Sequence, residues 1–339
     1  MRILITGATG FVGSHLVARL LDDNKYLTSK RRYAIRILMR RGSKLNNIIS
    51  NNDAADKLEI VYGDLTDNAS LLNATKDVDI VFHLAALLGS PEITYSQIYD
   101  ANVKGTQNLL RASEKNKVKR FIHISSVAAM GPIKQGMIAD EKTPCNPVSD
   151  YDKTKYLAEL AVKESKLRWT IIRPTTVYGP GEIKNKAKMF SFIKKGLFRI
   201  IGDGKNMLAL VYIDDLIEAI LLAAHPHASS CQTYIISGDY SGSSSCTMNN
   251  FVATIATHLQ VNVPGHMPLW LAKTAALCFK TLRIFKVPQL LSSDRIRSLT
   301  NSSSFSIAKA RKELGYSPKV SLDEGIARTV SWYEKNNIL

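Results

Sequence analysis

Cysteine is scarce in this chain, four in 339 residues. Cys145, Cys231, Cys246 and Cys278 show neither CxxC spacing nor partner histidines, so a zinc site or a disulfide framework has no support, and no metal is expected. A reducing cytoplasm suits that usage. No run of 18 uncharged apolar residues exists to span a bilayer, and an apolar strand already under way at residue 5 leaves no room for a cleavable signal peptide. There is no internal repeat, and Ser241-Gly242-Ser243-Ser244-Ser245, the one low-complexity stretch, reads as a loop. Acid is in short supply, with 29 Asp and Glu against 45 Lys and Arg, a formal charge of +16. The basic residues are scattered and no nucleic-acid motif accompanies them, so nucleic acid is not the expected partner. Anionic ligands or a membrane surface remain open.

What is present is the composition of an ordinary soluble enzyme, 45% hydrophobic and 22% charged, with length for a large core. The chain opens on Ile3-Leu4-Ile5-Thr6-Gly7-Ala8-Thr9-Gly10-Phe11-Val12-Gly13, an apolar strand leading into three glycines at intervals of three. Gly7 permits a tight turn, Gly10 lets backbone approach a pyrophosphate, and Gly13 lets the next helix pack close to the sheet. A pyrophosphate then sits on the helix N-terminus, at Phe11 and Val12. A flexible loop has the same spacing, but the preceding strand and the helical pattern of Leu16, Val17, Leu20 and Leu21 supply the context a dinucleotide site requires.

Strands are expected near 2–5, 34–39, 58–62, 79–83, 119–125 and 168–173, with helical patterns between them. That alternation predicts an α/β fold, a doubly wound parallel sheet of Rossmann type over 1–180. A smaller mixed α/β substrate lobe is expected over 181–339, with some of its chain crossing back to the sheet and helices at 214–224, 247–259, 269–285 and 322–335. The strand-end loops, which carry Gly63-Asp64-Leu65, His83-Leu84-Ala85-Ala86, Ser125-Ser126 and Arg173-Pro174-Thr175, should line one crevice.

Tyr151 and Lys155 lie four apart at the start of a helical pattern and so share a face. An ammonium near a tyrosine favours the phenolate, and such a pair can pass a proton to or from a substrate oxygen. The spacing is also common on solvated helices. The hydroxyls of Ser125 and Ser126, emerging at the ligand edge of the sheet, turn it into an oxyanion and proton-relay site.

With these residues the chain resembles, over nearly its whole length, the extended short-chain dehydrogenase/reductases. The resemblance rests on Thr6 to Gly13, Gly63-Asp64-Leu65, His83 to Ala86, Asn102-Val103-Lys104-Gly105-Thr106, Ser126, the Tyr151/Lys155 pair, and Arg173 to Pro180. It implies that Asp64 and Leu65 flank the adenine of a nicotinamide cofactor and that Ala85 lines the nicotinamide side. Lys155 would hold the ribose hydroxyls, with Pro174 and Val177 near the nicotinamide amide. Tyr151 would be the acid/base, its pKa lowered by Lys155, and Ser126 would hold the substrate oxygen; Ser126 stands five residues before Gly131, which closes the family's serine loop. Ser125 and His83 then read as structural residues. Asn102 reads either as a link behind Lys155 or as a polar contact inside a helix.

The second strand ends in Arg40-Arg41, with Lys44 behind and no acid at that corner. A carboxylate there would bind a ribose 2′-hydroxyl, whereas arginine grips a 2′-phosphate, so NADP is expected, with NAD the other choice; a solvated basic turn is the plainer reading. The basic insertion 24–33 has no assigned role. Thr176 stands where sugar-nucleotide enzymes often carry Asn, and Leu208 where they often carry Arg. Both changes remove pyrophosphate contacts, which favours a secondary alcohol or ketone on a small apolar substrate over a nucleotide-sugar epimerase or dehydratase. Lys186, Lys188, Lys194, Lys195, Arg295 and Arg297 could restore such contacts or form a solvated face. Residues 267–286 read as a basic amphipathic helix, with Lys273, Lys280 and Arg283 opposite Leu271, Ala275, Cys278 and Leu282, that either lies on an anionic membrane or covers the lobe's core. A homodimer is compatible with the sequence, and so is a scaffold that binds NADP without turnover, although the intact Ser126, Tyr151 and Lys155 argue against the latter.

Overall fold

A computed structural model describes residues 1–22, 34–45, 58–90, 92–184, 186–225, 228, 230–239, 246–274, 296 and 299–339. The insertion at 24–33, the serine-rich stretch at 241–245, residues 275–286, Cys278, Arg295 and Arg297 lie outside them.

Strands β1 (Arg2–Thr6), β2 (Ala34–Met39), β3 (Leu58–Tyr62), β4 (Ile80–His83), β5 (Arg120–Ile124), β6 (Trp169–Pro174) and β7 (Gln232–Ile236) form one seven-stranded sheet in the order β3-β2-β1-β4-β5-β6-β7. Every pairing is parallel. The Rossmann architecture expected from the alternation is therefore present, with the first six strands within a residue or two of their expected bounds. The seventh strand, Gln232–Ile236, falls in a stretch whose periodicity reads as irregular; it forms because the exposed flank of β6 supplies its pairing partner.

The longer helices among the described residues are α1 (Phe11–Asp22), α2 (Asn68–Thr75), α3 (Gly105–Lys115), α4 (Asp150–Glu164), α5 (Lys186–Lys194), α6 (Ile213–Ala224), α7 (Met248–His258), α8 (Ala308–Leu314) and α9 (Leu322–Lys335). Side chains alternate across a strand, so each strand feeds two cores. Ile3 and Ile5 join Leu16, Val17, Ile217 and Ile220 beneath α1 and α6. Leu4 joins Leu71, Leu109 and Val162 on the opposite face, beneath α2, α3 and α4. The first of these cores runs on without a break into the second lobe, through Tyr178, Phe190, Phe251 and Tyr333.

Rings in edge-on contact tie that lobe together: Tyr178 to Tyr212 at 5.5 Å, Tyr178 to Phe251 at 6.3 Å and Phe190 to Tyr333 at 5.4 Å. Such pairs add attraction beyond the area they bury. The short strand Thr176–Tyr178 pairs with Leu210–Tyr212, and Ile200–Ile201 with His266–Met267. Helix α1 is joined to the loop after Tyr178 by a 2.8 Å hydrogen bond between His15 Nε2 and the Pro180 carbonyl. Among the described residues no helix is long and apolar enough to cross a membrane.

At the β1–α1 turn Gly7 adopts φ +76°, and a Cβ there would lie 2.6 Å from the Ala85 nitrogen. A Cβ on Gly13 would lie 2.1 Å from the Gly7 carbonyl oxygen. Backbone on backbone leaves nothing to yield by rotation, so Gly13→Ala should destabilise the protein by roughly 1–3 kcal/mol, the range for overpacking. Chemical denaturation of the two proteins measures it; equal midpoints would show that the turn opens freely.

Candidate active site

The crevice lies beyond the carboxyl ends of the strands, where β1 and β4 diverge in connection order. Its floor is a row of polar residues in register: Thr6 beside His83, and His83 beside His123. His83 is fully buried and its protons can be placed by elimination. Thr106 Oγ1 donates to the Asn102 carbonyl at 2.6 Å, so it must accept from His83 Nε2 at 2.8 Å. Nδ1 is then an acceptor for the Thr6 hydroxyl at 2.7 Å, and the Thr6 oxygen in turn accepts from the Ala85 N–H at 3.4 Å. Beyond Asn102 the connection continues: its amide clips both backbone groups of Leu87, at 2.7 and 3.0 Å, and donates to Thr154 at 3.1 Å. One directional chain thus runs from the Gly-rich turn to α4.

Helix α4 carries Tyr151 and Lys155 in its first two turns. Its start is fixed by a capping box, in which Ser149 accepts from the Asp152 N–H and the Asp152 carboxylate accepts from the Ser149 N–H. Lys155 is buried, and its Nζ donates to the Ile124 carbonyl at 2.7 Å. Burial brings its pKa down to about 8, with Glu159 opposing. Tyr151 is pushed up to about 12, first by burial and then by the Asp152 carboxylate. The expected depression of the tyrosine pKa by Lys155 is therefore absent here, because the ammonium is turned to a backbone carbonyl. Nor does Asn102 bond to Lys155; it reaches α4 through Thr154 instead.

Ser126 follows β5 in extended backbone and caps the turn Val127–Met130 by accepting from the Ala128 N–H at 3.1 Å, its own proton having no acceptor among the described residues. Gly131 closes this loop at φ +77°. Ser125 is buried and donates to Glu159 Oε1 at 2.6 Å. Glu159, wholly buried, also accepts from Arg173 Nε at 2.9 Å and Nη2 at 2.6 Å. Glu159 was not singled out from the sequence, and Arg173, expected to line the crevice, is instead buried in this pair; two signals were available. Glu159 continues the i, i+4 series from Tyr151 and Lys155, and an arginine inside the apolar strand Trp169–Pro174 requires a buried counter-charge.

On the cofactor side, Gly10 is exposed in front of α1, whose first turn has Phe11 and Val12 half-buried and no acid to oppose an anion. Asp64 holds the Thr66 N–H and hydroxyl through Oδ1 alone. The Leu65 carbonyl accepts from Asn108 at 3.0 Å, and Gly105 leaves room for the Leu65 side chain, since a Cβ there would stand 2.8 Å from it. Arg40 and Arg41 are exposed at the end of β2, the Arg41 guanidinium 5.8 Å over the Tyr62 ring. Pro174 is buried at the end of β6 and Val177 is half-buried in the short strand beside Val211. Thr176 donates its N–H to the Ala209 carbonyl at 3.1 Å and Leu208 donates its own to the Cys246 carbonyl at 2.7 Å. The close glycine turn, the acid-free helix start and the strand-end loops fit a dinucleotide.

This is the arrangement of an extended short-chain dehydrogenase/reductase, an enzyme of nicotinamide chemistry. The model of the NAD dependent epimerase/dehydratase family matches residues 3–236, and the chain belongs to that family. It is 29% identical, over 97% of its length and 94% of the relative's, to the N-acetyl-alpha-D-glucosaminyl-diphospho-ditrans,octacis-undecaprenol 4-epimerase of Escherichia coli O157:H7. It is 27% identical to the 3beta-hydroxysteroid-dehydrogenase/decarboxylase isoform 2 of Arabidopsis thaliana, over 96% of this chain and 61% of that protein. Among solved structures, a DesIV double mutant (dTDP-glucose 4,6-dehydratase) from Streptomyces venezuelae with NAD bound superposes with a TM-score of 0.79 at 26% identity, covering 99% of this chain and 98% of that one.

The buried imidazoles make the fold acid-sensitive. Burial, aided by the Lys155 ammonium, brings His83 down to about 3, and His123 is also held well below its ordinary value. The unfolded chain takes up these protons below about pH 6.5 while the folded one refuses them, so stability falls as pH drops from there. The slope is about 1.4 kcal/mol per pH unit for each ring. Thermal melts between neutral and mildly acidic pH should show the decline, and His123→Leu should make it shallower; an unchanged slope in that variant would place the protons elsewhere.

Proposed function

We propose that the chain is an NADP(H)-preferring oxidoreductase of the cytoplasm that acts on a secondary alcohol or ketone carried on an apolar body. The observation that carries this reading is the convergence of Ser126, Tyr151 and Lys155 on one helix start and one strand end, beside a glycine turn that fits a dinucleotide. The bound cofactor supplies or takes the hydride. Tyr151, kept protonated by burial, gives its proton to the carbonyl oxygen as the carbonyl carbon takes up the hydride. Ser126 donates its O–H to the same oxygen as charge develops there. Lys155 holds the cofactor's ribose hydroxyls with the ammonium that Ile124 orients. Phe11 and Val12 offer their N–H groups to the pyrophosphate. The apolar substrate is supported by Thr176 and Leu208, which bring no cation to a pyrophosphate, and by the steroid dehydrogenase relative.

A second reading is favoured by the 4-epimerase relative, which matches at almost full length on both sides: oxidation and re-reduction of a sugar hydroxyl on a lipid diphosphate. That substrate, too, has an apolar body. The free thiols Cys145, Cys231 and Cys246 support a reducing compartment.

Tyr151→Phe should abolish turnover while cofactor affinity stays within a factor of two or so, because only the transferable proton is lost; Ser126→Ala should lower kcat by roughly 10²–10³. Steady-state kinetics over a panel of ketones and alcohols decides, and near-normal kcat in Tyr151→Phe would remove that residue from the chemistry.

Exposed Arg40 and Arg41 should give NADPH at least a roughly tenfold advantage over NADH, and replacing both by alanine should narrow it, one charge-assisted contact being worth about 1.5–3 kcal/mol. Fluorescence titration reads both affinities. Equal binding of the two cofactors by the unaltered protein would mark the pair as a solvated turn.

A further inference from the structure

Two segments of the second lobe contain no Asp or Glu. Residues 183–202 hold six cations, Lys184, Lys186, Lys188, Lys194, Lys195 and Arg199, and residues 246–274 hold Lys273. The absence of acid continues in sequence to position 293, past Lys280, Arg283 and Lys286. The parallel pairing of Ile200–Ile201 with His266–Met267 brings the two segments side by side. They also hold six of the thirteen exposed large apolar side chains of the described residues. Leu197 is 68% exposed, Val263 56% and Trp270 67%, with Leu269 and Leu271 also open and Ile183 at the start of the first segment.

The helical stretch at 269–274 turns Ala272 into the small core of Ile201 and Ile296, and leaves Leu269, Trp270 and Leu271 outside. The amphipathic reading of the sequence leaves Leu271 to face either a membrane or the core, and of the two the core is ruled out by its exposure. The residue that fits the interior is the small one, and the large apolar residues face solvent next to Lys273. Lys195, Arg199 and Lys273 are exposed, while Lys194 is paired with Glu334 at 3.7 Å and Asp203 lies just beyond the first segment. Lys186 is half-buried over the Phe251 ring with Glu182 as its acidic neighbour, which leaves Lys184, Lys188, Lys195, Arg199 and Lys273 as exposed cations with no acid in their own segments.

We propose that this edge is a docking surface for an anionic lipid bilayer, from which the enzyme takes its substrate. The inference rests on the reading of an apolar substrate body and deepens it: such a substrate partitions into the bilayer, and a protein with no spanning helix among its described residues has to meet it at the surface. Charge decides the occupant. Basic side chains interleaved with Trp and Leu suit phosphate headgroups over an acyl layer, with tryptophan at the boundary. A second copy of the chain would bring the same cations against one another, which opposes a symmetric dimer through this patch.

The test is co-sedimentation of the full chain with vesicles of phosphatidylcholine alone and of phosphatidylcholine mixed with phosphatidylglycerol. The anionic vesicles should bind roughly tenfold or more tightly, the advantage should vanish in high salt, and tryptophan emission should shift to the blue on binding. Trp169 is buried and Trp332 half-buried outside this edge, so loss of the shift in Trp270→Phe identifies its source. Trp270→Ser with Leu271→Ser, and separately Lys195→Glu with Arg199→Glu, should each reduce vesicle binding roughly tenfold while NADPH affinity and melting temperature stay unchanged. No binding to anionic vesicles, equal binding to neutral ones, or full binding by both variants overturns the proposal. So does a dimer that Trp270→Ser with Leu271→Ser dissociates. Vesicle binding needs no turnover, so a protein that docks but reduces no ketone defeats the proposed function alone, and one that reduces soluble ketones without docking defeats this inference alone.

Discussion

The buried carboxylate of Glu159 organises everything around it. A carboxylate without water is costly unless every oxygen is matched, and here Ser125 on the end of β5 and Arg173 on β6 both donate to it. Two strands and one helix are thereby locked at a single point. Lys155 and Tyr151 stand one and two turns back along that helix, so their placement against the sheet is set by this buried ion pair. Removing either partner would leave the other charge stranded, and the register of α4 against the sheet would loosen with it.

A second restraint acts from the opposite side. The chain of hydrogen bonds through Thr6, His83, Thr106 and Asn102 has only one proton arrangement, and it ends at Thr154 between Tyr151 and Lys155. Helix α4 is therefore held from the ion pair beneath it and from the cofactor turn beside it. The cost of burying a neutral His83 in the sheet is offset by bonds on both its ring nitrogens, one of which ties it through Thr6 to the Ala85 loop.

The sheet was legible because its strands are continuous apolar runs bounded by polar loops, and the glycine turn because its spacing encodes backbone contacts. The placing of Tyr151 and Lys155 on one helix start and of Ser126 just past a strand end was legible by spacing and resemblance. The pairing of Glu159 with Arg173 was obscured because a lone charge in an apolar segment gives no hint of its partner until the fold brings the two together. The pKa of Tyr151 was misjudged for a related reason: helical spacing places Lys155 nearby, but the direction of its ammonium depends on the Ile124 carbonyl, which sequence proximity does not reveal. Strand β7 was missed since its apolar run is short and its stability comes from a neighbour 62 residues earlier, Thr170 opposite Gln232.

The continuity of the core across both lobes has a bearing on how the chain is made. Tyr333 packs against Phe190 and its hydroxyl donates to the Glu182 carbonyl, while Tyr178 fills the space left open by Gly325. The first five strands can pair as they emerge from the ribosome, each finding its neighbour already made. The core around Tyr178, Phe190 and Phe251 cannot be completed until the helix that carries Tyr333 has been synthesised, so a nascent chain would pass through a stage with its sheet built and that apolar surface bare, the interval in which a chaperone would have most to cover.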